Sequence, residues 1–169
     1  MLRTLKVHFV VLAAIVLAGF RPTLFAQAPP IVLSEFDASG AGFSFREGAV
    51  VQVFDQAKHQ PVASFSNVDF ILDFPHGIGT NNSSLTPDFA GKGGVRDVGE
   101  GALGDVREAP GRGYKPALTV DEIKEGHTYC FLTADGKHYA KLHVIRFDRE
   151  RKELEFSWQY QSNGTRKFQ

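Results

Sequence analysis

The chain has 169 residues, of which 43% are hydrophobic and 22% charged, and its formal net charge is zero. This balance argues against nucleic acid or an anionic membrane as the main partner, because both are bound chiefly through an excess of Lys and Arg. Cys130 is the only cysteine, so an intrachain disulfide is excluded. Its position between Tyr129 and Phe131 predicts a buried and unreactive thiol.

The N-terminal residues have the pattern of a secretory signal peptide. Two basic residues precede an apolar run from Val7 to Phe20, which only His8 interrupts, and the small residues Ala26-Gln27-Ala28 follow. The run is too short to span a bilayer as a stable helix, although a membrane anchor is the alternative interpretation. We therefore expect residues 1–26 to be removed and residues 27–169 to form one exported domain, periplasmic or secreted.

Cleavage there removes three basic and no acidic residues, which leaves 16 basic and 19 acidic residues and a net charge of −3. No cysteine lies near the cleavage site, so we expect no lipid anchor. Asn81, Asn82 and Asn163 stand in glycosylation sequons, whose use depends on the host.

Short apolar runs predict strands along the first half of the mature chain, at Ile31–Phe36, Phe43–Phe45, Ala49–Phe54, Pro61–Phe65 and Val68–Phe74. The last run contains Asp69 and Asp73, which are four residues apart and so share one face of a strand. That face is either solvated or, less simply, a carboxylate cluster for a metal.

The middle of the chain has a different composition. Six glycines and the polar residues 80–84 predict a long irregular loop from Pro75 to Gly99. Within it, Gly91-Lys92-Gly93-Gly94 lacks the spacing of a P-loop and indicates a turn where backbones approach closely. After a polar connection, the capping-box pattern Thr119-Val120-Asp121-Glu122 predicts one short helix from Thr119 to Glu125.

The C-terminal part, His127 to Gln161, predicts three antiparallel strands joined by two polar turns. Asp135-Gly136 has the composition of a two-residue hairpin turn, since glycine accepts positive φ without steric cost. The fold class predicted from the whole pattern is all-β: a single domain of twisted antiparallel sheet or sheets, with a C-terminal three-strand meander and one short helix.

Catalytic and metal-binding motifs are missing from the sequence. There is no GxSxG nucleophile motif and no HxH or HxxxH pair. His138 and His143 are five residues apart, so in one strand they point to opposite faces. We therefore expect a protein that is not an enzyme. His76, at the mouth of the glycine-rich loop, is the histidine best placed to face a ligand.

Several segments resemble motifs of one protein family, in the same order along the chain. Phe43 to Val51 is similar to the "FSF-x-x-G-x-VV" opening of HmuY-like proteins, and Asn67 to Phe74 to their "WD-apolar-apolar-F/L" strand, with Val68 in place of Trp. Gly79-Thr80-Asn81 and Gly91 to Gly94 resemble their "R-x-N…GKGGA" loop. Thr133 to Val144 resembles their "DGK-Y-AK-apolar-x-V" hairpin.

This resemblance implies an exported bacterial binding protein of all-β fold, and haem as a ligand. In the haem-binding members the axial histidines lie in the segment corresponding to Glu100–Gly126, where this chain has none. Since His and Tyr are haem ligand types, the candidate haem-contacting residues are His76, His127 and Tyr114.

Two other functions are open at this point. One is a cell-envelope interaction domain that binds a protein partner without a small ligand, and the other is a hydrolase working from the Pro75–Gly99 loop. An apolar pocket that unites the candidate residues would favour ligand binding, whereas a filled interior would favour the interaction domain.

Overall fold

The computed structural model describes residues 29–35, 41–55, 57–61, 66–83 and 91–169. The signal peptide predicted for residues 1–26 lies outside these ranges. Within them, no helix has the length and apolar character needed to cross a membrane.

The described residues form twelve short strands. They are β1 (Ile31–Ser34), β2 (Gly42–Ser44), β3 (Ala49–Val51), β4 (Phe54–Asp55), β5 (Gln60–Pro61), β6 (Phe70–Asp73), β7 (Gly77–Thr80), β8 (Gly94–Glu100), β9 (Ala117–Leu118), β10 (His127–Leu132), β11 (Tyr139–Asp148) and β12 (Glu153–Gln161).

These strands make two five-stranded sheets and one small pair. Sheet one has the order β1-β12-β11-β10-β8, sheet two has the order β3-β2-β6-β7-β9, and β4 pairs with β5. Neighbouring strands are antiparallel throughout. The all-β antiparallel prediction is confirmed, and the predicted meander forms the centre of sheet one.

Aromatic side chains fill the centre of the sandwich between the two sheets. The ring of Phe43 lies 5.4 Å from that of Phe45 and 5.8 Å from that of Phe70, measured between centroids. From sheet one, Phe156 lies 5.1 Å from Phe43, and Phe131 lies 5.0 Å from Phe45. All five side chains are fully buried. Burial of this size is the main source of the sandwich's stability.

The predicted long loop from Pro75 to Gly99 is wrong over the part that the structure describes. Strands β7 and β8 lie within it, and only residues 84–90 fall outside the description. The glycines have a packing role that local composition does not reveal: a Cβ on Gly77 would lie 2.2 Å from the carbonyl oxygen of Leu118. Glycine therefore allows β7 and β9 to approach closely.

Two local predictions need correction. The predicted helix is a 3-10 turn of three residues, Val120–Glu122, in which Glu122 accepts a hydrogen bond from the backbone N–H of Thr119. A second 3-10 turn, Leu103–Asp105, was not predicted. The hairpin between β10 and β11 is also longer than two residues, although Gly136 has the expected positive φ of 67°.

A flap, residues 101–115, crosses the outer face of sheet one together with the C-terminal residues. The side chain of Lys141 is buried beneath it, with Nζ donating to the carbonyl oxygens of Leu103 at 2.5 Å and Val106 at 2.7 Å. The same nitrogen lies 4.6 Å from the ring centroid of Phe168. Burial lowers the pKa of Lys141. The ammonium group therefore anchors the flap through backbone carbonyls.

Replacing Lys141 by Met should release the flap, because Met keeps the aliphatic length but donates no hydrogen bond. We expect amide exchange in residues 101–110 to become roughly tenfold faster, which corresponds to the loss of one or two net hydrogen bonds. Hydrogen exchange followed by mass spectrometry measures this. Lys137→Met, at an exposed position, is the control. Equal exchange in the two variants would show that Lys141 does not hold the flap.

Candidate functional site

A groove of about 650 Å³ lies where the two sheets meet along their edge strands. One wall is β8, the edge of sheet one, which carries Arg96 and Asp97. The other wall runs from Arg112 through β9, the edge of sheet two, to Lys124. Val95 and Lys115 exchange two backbone hydrogen bonds of 2.8 Å and join the walls at one end.

The groove's carboxylates are already engaged within the protein. Glu122 accepts hydrogen bonds from Lys115 Nζ at 2.5 Å and from the Thr119 N–H at 2.9 Å, which together lower its pKa. Asp121 pairs with Arg149 at 2.9 Å. Glu122 therefore offers little free capacity to a ligand, whereas the Asp121 side chain is 88% exposed.

The basic side chains are less fully engaged. Arg96 donates one hydrogen bond of 2.5 Å to the carbonyl oxygen of Arg112, and it passes so close to Gly113 that a Cβ there would lie 3.0 Å from Nη1. Across the residues that the structure describes, no carboxylate lies within ion-pair distance of Arg96, Arg112 or Lys124. The groove therefore presents three cations without a paired anion.

Asp97, the third acidic residue of the groove, is hydrogen-bonded to a histidine. Asp97 Oδ1 lies 3.0 Å from Nδ1 of His127, and it accepts the Gly99 N–H at 2.8 Å. The His127 side chain is 19% exposed. A carboxylate on Nδ1 fixes the orientation of an imidazole ring and leaves Nε2 for another partner, as in metal-binding histidines.

The three candidate haem-contacting residues lie on separate elements. His76 is exposed in the turn between β6 and β7, with its Nδ1 2.9 Å from Asp73. His127 begins β10 beside the groove. Tyr114 lies in the flap, where its ring is 6.4 Å from that of Tyr139 and burial raises its pKa. No described hydrogen bond or ring contact joins two of the three, so the structure does not bring them together in one site.

A metal cluster at Asp69 and Asp73 finds no support in the described residues, which contain no group of three or more His, Cys, Asp or Glu placed to hold an ion. Asp69 is buried, and both its oxygens are taken by backbone N–H groups. Oδ2 accepts from Phe45 at 2.7 Å, and Oδ1 accepts from Ala134 at 2.8 Å. Its role is to join the two sheets at one end of the sandwich.

Asp69 forms the floor of a second, polar cleft of about 300 Å³. Arg46 and Asp135 face each other across it at 3.5 Å. Burial opposes ionisation of Asp135, but hydrogen bonds from Lys137, Thr133 and His138 outweigh it and lower its pKa to about 2. The charged groups of this cleft are thus paired with one another, unlike those of the groove.

Two nucleophilic side chains of sheet one, those of Cys130 and Thr128, are not activated. Burial raises the pKa of the Cys130 thiol to about 12, which agrees with the predicted inert cysteine. Thr128 Oγ1 donates its proton to the carbonyl oxygen of Gly101 at 2.5 Å, so the 3.2 Å contact with His143 Nδ1 must use a proton from the histidine. His143 cannot then act as the base for this hydroxyl.

The glycine-rich segment closes around a buried asparagine. Asn81 Oδ1 accepts the N–H of Gly93 at 2.9 Å, and the N–H of Gly91 donates to the backbone oxygen of Asn81 at 2.9 Å. The side chain of Asn81 is therefore closed to glycosylation in the folded protein, whereas Asn82 and Asn163 are exposed. The close approach expected at Gly91–Gly94 is made at Gly91 and Gly93 chiefly to the side chain of Asn81, since a Cβ would lie 2.0 Å from it at Gly91 and 2.4 Å from it at Gly93.

Sequence reasoning identified His127 but missed the groove beside it. Its four basic residues are spread from Arg96 to Lys124, across a stretch interpreted as a glycine-rich loop and a polar connection. Local composition gives no signal for the groove, because residues 96–124 contain five basic and six acidic residues. Only the pairing of β7 with β9, and of β8 with β10, places them around one groove.

Comparison of the chain with protein-family models gives no match, and comparison with the curated proteins gives none either. The resemblance to HmuY-like proteins therefore stays a prediction from the sequence motifs.

Proposed function

We propose that this chain is an exported, non-enzymatic binding module that holds a protein partner in the groove between β8 and β9. The observation that carries the proposal is the set of three unpaired cations, Arg96, Arg112 and Lys124, in a concave surface of about 650 Å³. The signal-peptide pattern supports export, and the engaged hydroxyl of Thr128 and the buried thiol of Cys130 support a non-enzymatic role.

The distribution of apolar and polar groups favours a partner that binds on the surface of the protein. The centre of the sandwich is occupied by phenylalanine side chains, and the groove has one aliphatic side chain in its lining, that of Leu118. Small-molecule sites are mostly apolar and enclose their ligand, whereas protein interfaces have polar, solvated rims. An open groove rich in charge therefore favours a macromolecular partner.

Haem binding is the second candidate, and the pair Asp97–His127 favours it. The carboxylate fixes the ring through Nδ1, which directs Nε2 away from Asp97 as an axial ligand would require. The groove cations would suit the two carboxylates of haem. The small apolar area of the groove is the reason why haem stands second.

A haem titration of residues 27–169, followed by visible absorption, distinguishes the two candidates. On the proposed function we expect no saturable Soret shift beyond that of an unrelated protein. A one-to-one shift that is lost in His127→Ala and kept in His76→Ala would overturn the proposal in favour of a haem carrier.

The partner itself is sought with a photo-crosslinking amino acid at Lys124 in the producing cells. We expect a discrete adduct that is missing when the same group replaces Lys137, which is outside the groove. Adducts that are identical from both positions would count against the groove as the binding surface.

A further inference from the structure

We propose that the groove receives an acidic, extended segment of the partner protein. This inference rests on the proposed function and adds the chemistry of the partner. It follows from two features of the groove: the charge left after internal pairing, and the unpaired edges of the strands that form its walls.

The charge of the groove is opposite to that of the rest of the mature chain. Lys115 is neutralised by Glu122, and Asp121 is neutralised by Arg149. What remains is the three cations Arg96, Arg112 and Lys124 against Asp97, and the Asp97 carboxylate is held by His127 and Gly99. A mature net charge of −3 repels acidic proteins in general, so the groove is a local exception that selects carboxylates by position.

The cations are carried by different elements of the fold. Arg96 is on β8 and is held in place by its hydrogen bond to the Arg112 carbonyl oxygen. Arg112 precedes the positive-φ residue Gly113, and Lys124 follows the second 3-10 turn. Cations carried by different elements can each pair with a separate carboxylate of an acidic chain.

The backbone of both walls can also bind an extended segment. In sheet one β8 pairs with β10 on one side, and in sheet two β9 pairs with β7 on one side. In the described parts of the chain, the other side of β8 is bonded through Val95 to Lys115, and no strand continues this pairing towards Glu100. The N–H of Gly99 in this strand donates to Asp97 Oδ1. Such edges accept an added strand, which supplies affinity through the main chain while side chains supply specificity.

A binding assay with a synthetic peptide tests the inference. The probe is a short fluorescein-labelled peptide in which Glu alternates with Ser, and its control has Gln in place of Glu. The protein is residues 27–169, and fluorescence anisotropy is measured at low salt and at physiological salt. We expect saturable binding of the Glu peptide, weakened by salt because the interacting charges are exposed.

Variants locate the binding to the groove. Arg112→Gln and Lys124→Gln should each weaken binding roughly two- to fivefold, the usual effect of one exposed ion pair, and the double variant should weaken it about tenfold. Arg107→Gln and Lys137→Gln remove the same charge at exposed positions outside the groove lining and should leave binding unchanged. These four positions are exposed, so folding is expected to survive, and far-UV circular dichroism checks it.

Two results would overturn the inference. One is equal binding of the Glu and Gln peptides, and the other is equal loss in the groove variants and the control variants. The crosslinking experiment separates this failure from failure of the proposed function. A specific adduct at Lys124 without peptide binding would reject only the acidic segment, whereas loss of both would reject the groove as a binding surface.

Discussion

Asp69→Ala is expected to lower the free energy of unfolding by about 2–5 kcal/mol, because it leaves two backbone N–H groups without an acceptor in a buried place. One of them, of Phe45, follows β2 in sheet two, and the other, of Ala134, follows β10 in sheet one. The carboxylate is thus a bridge between the sheets. Its loss should affect the polar cleft and the adjacent hairpin first.

Urea denaturation monitored by the fluorescence of Trp158 measures this effect, since the indole lies in the same aromatic cluster as Phe43. Asp73→Ala is the matched control: its carboxylate is partly exposed and pairs with His76 on the surface, so we expect a loss of less than about 1 kcal/mol. Asp69→Asn should fall between them, because the amide keeps one acceptor oxygen. Equal stability of Asp69→Ala and Asp73→Ala would contradict the bridge.

Asp69 also predicts the direction in which the stability of the protein changes with pH. Burial raises the pKa of Asp69 above its ordinary value of 3.8, although the two N–H donors act in the opposite direction. A raised pKa means that the folded state holds the proton more tightly, so its contribution to stability is present below pH 3.8 and is lost as the pH rises through the folded pKa. We expect this part of the pH profile to vanish in Asp69→Asn.

The fold class and the meander were predictable because their signals are local. Alternation of apolar and polar residues in β11 and β12 determines which side chains enter the core, and Leu142, Val144 and Phe156 do so. In β10, Tyr129 and Phe131 enter the core, and Cys130 between them is buried on the opposite face. Short-range pattern was sufficient for these positions.

Strands β7 and β8 could not be predicted, since their glycines usually indicate loops. Gly77 is required in β7 by a partner far away in the sequence, because a Cβ there would lie 2.2 Å from the carbonyl oxygen of Leu118. Tertiary contact overrides local propensity at such places. Separation along the sequence also explains why the groove was not predicted. Arg96 and Lys124 line one groove only when the sheets have formed.

Asp69 is a single residue whose role could not be predicted from the local sequence. Its spacing from Asp73 predicts that both carboxylates lie on one face of a strand. That face could be either solvated or a carboxylate cluster for a metal. In the structure Asp69 precedes β6, and its second partner, Ala134, is 65 residues away. A buried carboxylate with two main-chain donors cannot be recognised from sequence spacing.

The packed interior bears directly on the choice between functions. A haem carrier needs an apolar slot that is open to its ligand, and the aromatic residues that could line one, Phe43, Phe45 and Phe70, are fully buried against each other. Among the described residues, the groove is an open concavity, and its lining is charged. This contrast is the reason for placing a protein partner ahead of haem.

Asn81→Ala is expected to lower the free energy of unfolding by about 2–3 kcal/mol. The substitution leaves the buried N–H of Gly93 without its acceptor and removes a side chain that fills the turn of the glycine-rich segment. Asn82→Ala, at the exposed neighbouring position, should change the free energy of unfolding by less than about 0.5 kcal/mol. Urea denaturation of the two variants gives the comparison.

A double-mutant cycle with Gly93→Ala tests whether Asn81 and Gly93 are energetically coupled. A Cβ on Gly93 would lie 2.4 Å from Asn81 Oδ1, so Gly93→Ala should be strongly destabilising in the wild-type background. With Asn81→Ala already present that clash is gone, and the remaining contact, 3.3 Å from the carbonyl oxygen of Leu132, is tolerable. We therefore expect the two losses to be smaller together than their sum. Additive losses would mean that Asn81 does not explain the glycines of this motif.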